Sequence, residues 1–169
     1  MEYYSVKPHY FDASALVKLV ADDADEEPGR EVLRSYHRER CHPGYTTSFC
    51  IAEAFGAFKL KFLRKKISER DYVACVKKFI VTIGNTFEVD EVPTLWPVVS
   101  SEAERLITKY KIDFIDCFQI VTIMRGRFKI FIAGSQSVLI TADRELARVA
   151  RAEGARVWEC TTESPPDAG

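Results

Sequence analysis

Short apolar runs of strand character alternate with segments of helical periodicity, and that alternation predicts an α/β fold, a three-layer α/β/α sandwich around a largely parallel sheet. Two further observations agree with it. The chain has 169 residues, the size of one domain with a substantial core. Acidic residues also follow two of the strand-like runs, where a parallel sheet gathers functional side chains at its carboxyl edge.

Taken in order, the first apolar run reaches Tyr10-Phe11, and residues 13–20 continue as a helix. Residues 22–27 are acidic and lead through Pro28-Gly29 as a solvated loop. Residues 30–40 give a polar helix with Val32, Leu33 and Tyr36 as its apolar contacts, and Pro43-Gly44 marks residues 41–45 as a turn. Thr47 and Ser48 are N-cap candidates for a helix running to about Lys66. Its first half holds a single charge, Glu53, on one face with Phe49, Ala52, Gly56 and Leu60. Small Ala52 and Gly56 would admit a neighbouring backbone there. Its second half is basic, with Lys59, Lys61, Arg64, Lys65 and Lys66.

Residues 68–71 start another helix, which Gly84-Asn85 would stop, and residues 87–92 alternate as a half-exposed strand. Beyond Pro93 and Pro97, Ser100 or Ser101 caps a helix ending near Lys111, with Glu102 and Glu104 in its first turn. Residues 113–125 form the next helix, with Asp113 and Asp116 one turn apart. Residues 126–136 fit either an extended hairpin or a helix extension followed by a loop. Residues 138–141 are a strand, 143–153 an amphipathic helix closed by Gly154, and 156–159 a last strand. Residues 1–160 therefore read as one domain, and residues 161–169 as a disordered tail.

Composition narrows the classes. An apolar fraction of 47% and a charged fraction of 29% describe a soluble globular chain. With a net charge of −1 and a pI near 6.3, no global basic field attracts polyanions. Local strips at 59–66, 125–129 and Arg144 remain, and each reads first as a solvated face. The five cysteines form no Cys-x-x-Cys pair, and Cys50, Cys75 and Cys117 fall in apolar helical patterns, which suits a reducing cytoplasm. Residues 1–9 have no signal-peptide character, and no apolar run approaches the roughly 20 residues that span a bilayer.

Four acids, Asp12, Glu53, Asp116 and Asp143, sit in apolar stretches on separate predicted elements. Desolvating an ionised carboxylate is costly unless something compensates it. Gathered around a divalent cation, the four compensate one another's surroundings. Mg²⁺ and Mn²⁺ take oxygen ligands and need no histidine, and His9, His37 and His42 all lie outside the four stretches. Other chemistries lack their parts. No phosphate-cradling or dinucleotide glycine motif is present. Ser14 stands where a haloacid-dehalogenase-type phosphatase needs a second aspartate, and a serine or cysteine nucleophile has no motif histidine as its base.

The segments Tyr-Phe-Asp12-Ala-Ser-Ala-Leu-Val-Lys-Leu, Thr-Ser-Phe-Cys-Ile-Ala-Glu53-Ala-Phe-Gly, Asp116-Cys-Phe-Gln-Ile-Val-Thr and Leu-Ile-Thr-Ala-Asp143-Arg-Glu-Leu-Ala together resemble the acidic motifs of PIN-domain nucleases. The prokaryotic branch that includes the VapC toxins is the nearest. The resemblance runs from Tyr10 to Trp158 in family order, with a longer connection at 126–136 than compact members have. It implies a Mg²⁺- or Mn²⁺-dependent endoribonuclease with Asp12, Glu53, Asp116 and Asp143 as catalytic acids. Asp12 and Asp116 would be the central metal ligands, with Glu53 and Asp143 binding directly or through metal waters. Ser14 and Thr141 would support the acids through their hydroxyls, with local capping as the competing reading. Asp113 shares a face with Asp116 and reads first as a helix N-terminal acid, with a fifth acid of the cluster as the alternative. The resemblance further implies an RNA substrate, a homodimer and a cognate antitoxin partner. The rival reading is a PIN fold serving as an RNA- or protein-binding module without catalysis.

Overall fold

The computed structural model describes residues 8–21, 28–129 and 137–166. The acidic run at 22–27, residues 130–136 of the long connection and the last three residues lie outside them. Five strands and seven helices follow one another as β1 (His9–Phe11), α1 (Ala13–Val20), α2 (Arg30–Arg40), β2 (Gly44–Thr46), α3 (Ser48–Leu63), α4 (Glu69–Thr86), β3 (Phe87–Val89), α5 (Pro97–Tyr110), α6 (Phe114–Arg125), β4 (Val138–Thr141), α7 (Arg144–Ala152) and β5 (Arg156–Glu159). The strands form one sheet in the order β3-β2-β1-β4-β5, and every pairing is parallel.

Alternation along the strands divides the core into two layers. Phe11, Val138 and Ile140 point to the side packed by Leu16, Leu33, Phe58 and Phe79 from α1 to α4. Tyr10, Tyr45 and Leu139 point to the other, against Leu106, Phe118, Leu146 and Val149 from α5, α6 and α7. The predicted three-layer sandwich is the observed one. Each fully buried residue of this kind, such as Leu139 or Ile140, contributes about 1.5–3 kcal/mol by leaving water. Gly154 closes α7 with a φ of 90°, as its position after the last apolar residue predicts.

Several boundaries differ from the sequence reading, each for a local physical reason. Residues 44–46, read as part of a turn, are the strand β2. Its Gly44 is required by close packing, since a Cβ there would meet the Phe87 ring at 2.7 Å. Helix α4 passes through Gly84-Asn85 to Thr86 because β3 follows without a connection, and the Phe87 N–H closes the helix on the Ile83 carbonyl. Helix α5 begins at Pro97, where a missing N–H costs nothing, rather than at Ser100 or Ser101. Helix α3 ends at Leu63, short of the basic residues 64–66. Gly56 faces open space, so no backbone makes the approach its size suggested. In α2, Val32 is exposed while Arg30 and His37 are buried.

Residues 126–129 form a turn closed by Lys129 N–H on the Gly126 carbonyl. At the other end, the residues read as a loose tail are tied down at their start. The Glu163 carboxylate accepts from Arg151 and from the Glu159 N–H, and its carbonyl accepts from the Trp158 indole. Among the described residues no helix is long and apolar enough to cross a membrane.

Candidate functional site

The chain builds β2 and β3 to one side of β1, then returns to lay β4 and β5 on the other. Loops leaving β1 and β4 therefore part, and the gap at their carboxyl ends is where parallel α/β sheets hold ligands. Asp12 follows β1 directly, Thr141 ends β4, and Asp143 lies two residues further.

Asp12 is the N-cap of α1. Its Oδ1 accepts from the Ala15 N–H at 2.8 Å, and its Oδ2 accepts from the Thr141 hydroxyl at 2.8 Å. The Ser14 hydroxyl donates to both oxygens at 2.9 and 2.8 Å. These hydroxyls also accept: Ser14 from the Ala142 N–H and Thr141 from the Asp143 N–H. Ser14 and Thr141 thus join the α1 N-terminus to the loop after β4 and present Asp12 between them. Three donors against about four lone-pair sites leave Asp12 room for one more partner. Asp12 is 5% exposed, and burial outweighs those donors, lifting its pKa to about 6.

Asp143 caps α7, its Oδ1 accepting from the Glu145 and Leu146 N–H groups at 2.7 and 3.0 Å. Asp113 caps α6 and accepts from the Asp116 N–H at 2.9 Å. Asp116, in the first turn of α6, is pushed up to about 7 by burial and then by the charges of Asp113, Asp12, Asp143 and Glu53. Glu53, in the second turn of α3, is raised for the same reasons, burial first and then Asp113, Asp12 and Asp143.

Asp12, Glu53, Asp116 and Asp143 line one small cleft of about 80 Å³, together with Asp113, Ser14, Cys50 and Gln119. The apolar setting read from sequence applies to Asp12 alone. Asp116 is half-buried, while Glu53 and Asp143 are exposed at the rim. The apolar neighbours of the rim acids in sequence turn inward to the two core layers, and the acids turn out. Two polar members of the cleft, Cys50 and Gln119, lay outside the sequence-derived site, and Asp113 read first as a capping acid. Asp113 is a helix N-terminal acid and a fifth carboxylate at once. Gln119 left a signal, a lone amide within the apolar run of α6 one turn after Asp116.

The donor set suits a hard cation: carboxylate oxygens, with no lysine or arginine among the groups that shift Asp12, Asp116 or Glu53. The arrangement is open, however. Among the described residues, no three Asp, Glu, His or Cys side chains meet as a ready-made ligand set. Beside the cleft runs a larger groove of about 340 Å³, sharing Ala13, Ser14 and Glu53 with it and walled further by Val17, Lys18, Ala57 and Ala142. Of the basic candidates, Arg125 pairs with Glu102 at 2.7 Å and Arg127 with Glu88 at 3.5 Å, while Lys59, Lys65, Lys66 and Arg144 are exposed.

No family model and no curated protein matches the chain. Among solved structures it is similar to PAE2754 from Pyrobaculum aerophilum, with a TM-score of 0.59, 19% identity and 92% of each chain covered. The likeness is one of fold, the parallel α/β sandwich described above.

Proposed function

We propose that this chain is a Mg²⁺- or Mn²⁺-dependent endoribonuclease that hydrolyses RNA phosphodiester bonds at the five-acid cleft. The observation that carries the reading is the convergence of Asp12, Glu53, Asp116 and Asp143 from four separate elements on one cleft. Asp12 and Asp116 would hold the cation, with Glu53 and Asp143 at its edge. A cation bound there supplies Lewis acidity and an activated water. The chain's own contribution is positional. Ser14 and Thr141 hold Asp12 in place, and the groove beside Ser14 and Glu53 offers room for the nucleotide next to the scissile bond. The test is cleavage of a labelled single-stranded RNA with Mn²⁺ and with chelator. Metal-dependent cuts that disappear in Asp12→Asn support the reading; intact RNA under both conditions removes it.

We further propose that the chain forms a homodimer or meets an antitoxin as part of a toxin–antitoxin pair, with the exposed apolar side chains Leu63, Ile80 and Val81 of α3 and α4 as candidate contacts. A small DNA-binding protein encoded next to the gene is the check. One observation favours the non-catalytic reading: among the described residues, no three Asp, Glu, His or Cys side chains meet as a metal-ligand set. Thermal stability decides between them, because Mn²⁺ raises Tm only if the cleft closes on it.

A further inference from the structure

The acids of the cleft differ in what holds them. Asp12 accepts from three groups and Asp143 from two backbone N–H groups. Among the described residues, no donor reaches the Asp116 carboxylate; its hydrogen bond is made by its backbone N–H, to Asp113. One turn along the same face of α6 stands Gln119, 1% exposed and on the cleft wall. Its Oε1 accepts from the Cys50 thiol at 3.3 Å, and its Nε2 is buried with no partner among the described residues. The Cys50 thiol fixes the amide by its oxygen, which leaves the NH₂ as the unmatched group of a side chain that lines the acid cleft. A buried donor left unfilled is costly, and an aliphatic side chain of similar size would pack there without that cost. The unfilled donor and the unfilled acceptor share one cleft and one helix face.

We infer that Gln119 is a positioning residue whose Nε2 donates to the Asp116 carboxylate when that side chain turns inward onto a bound divalent cation. This rests on the metal-dependent reading of the cleft. Closure on a cation would give Asp116 its ligand and a hydrogen bond together. Carboxylates that ligate metals are themselves held by hydrogen bonds, and losing such a partner weakens metal binding roughly 10–100-fold.

The experiment is Mn²⁺ affinity, read from the free-ion EPR signal of the full chain, alongside metal-free thermal unfolding, for wild type, Gln119→Met, Asp116→Asn and the double variant. Gln119→Met is expected to weaken Mn²⁺ binding roughly 10–100-fold, with a metal-free Tm equal to or above wild type because an unfilled buried donor has gone. In the Asp116→Asn background, Gln119→Met should change Mn²⁺ affinity no further. Wild-type affinity in Gln119→Met overturns the inference while leaving the nuclease reading intact. A loss of Tm equal to that of a core truncation, with equal weakening in both backgrounds, overturns it too, since Gln119 is then only packing. If wild-type chain binds no Mn²⁺, the metal-dependent reading fails and this inference falls with it.

Discussion

Two clusters of acids on this molecule have opposite electrostatics. Between α5, α6 and α7, Glu153 accepts from Arg105, Lys109 and the Tyr110 hydroxyl, and Glu102 accepts from Arg105 and Arg125. The hydrogen bond from Arg105, followed by those from Tyr110 and Lys109, holds Glu153 down at about 2. In the cleft, burial and like charge lift Asp12 to about 6 and Asp116 to about 7. A carboxylate that serves the fold is supplied with cations by the fold. One left facing other carboxylates stores unfavourable charge that a ligand can relieve.

That contrast breaks most sharply at the central acids. Asp12→Asn or Asp116→Asn should lower Mn²⁺-dependent RNA cleavage on the order of 10³-fold while the chain stays folded by circular dichroism. Near wild-type rates in a folded variant would falsify the catalytic assignment. Thr141→Val removes a donor to Asp12 and an acceptor for the Asp143 N–H, and should reduce cleavage roughly 10–100-fold through misplacement of Asp12. An unchanged rate would reduce Thr141 to a cap for the loop after β4.

On the paired side, Glu153→Gln should have no effect on cleavage and should cost about 1 kcal/mol of stability. The figure is modest because Arg105 and Lys109 are about half exposed and screened. The loss should shrink at high salt, and a salt-independent loss would mean packing rather than charge is responsible.

The smallest effect is a pH dependence of the metal-free protein. Asp116 and Asp12 bind protons in the folded chain where the unfolded chain, near the ordinary carboxylate value of about 4, has released them. Folded protein binding more protons means stability rises as pH falls through about 7. His37, pushed down to about 4 chiefly by burial, opposes this below its ordinary value of about 6.5. His37 contributes equally to wild type and Asp116→Asn, so the difference between their urea midpoints from pH 8 to 6.5 isolates Asp116. Wild type should gain up to about 1 kcal/mol and Asp116→Asn less. Equal slopes would mean that Asp116 titrates without feeling its neighbours.

Much of the architecture was legible because its signals are local. Val138–Thr141 read directly as a strand from its β-branched and aliphatic run, and Arg156–Glu159 as a last short strand after the helix. Helix α7 was bracketed by Asp143 at its cap and Gly154 past its end. Strand β2 was hidden because three residues beside a Pro-Gly pair look like a turn until β1 and β3 pair with them. Glycine at 84 looked like a stop because nothing nearby in sequence shows that β3 takes over at once. The cleft divides in the same way. The four acids stand out in sequence as charges in apolar runs, but Glu53 and Asp143 prove to be at the rim, and Gln119 passed as one more residue of a buried helix.

By itself the sequence determined the alternation of strands and helices, several of the helix ends and the identity of the acids, since capping and periodicity act within a few residues. Only the tertiary structure decided which carboxylates share a cleft, how far each is removed from water, and that the Gln119 amide and the Asp116 carboxylate stand unfilled on one face. Desolvation and Coulomb energy depend on neighbours brought from distant parts of the chain, so no local pattern records them.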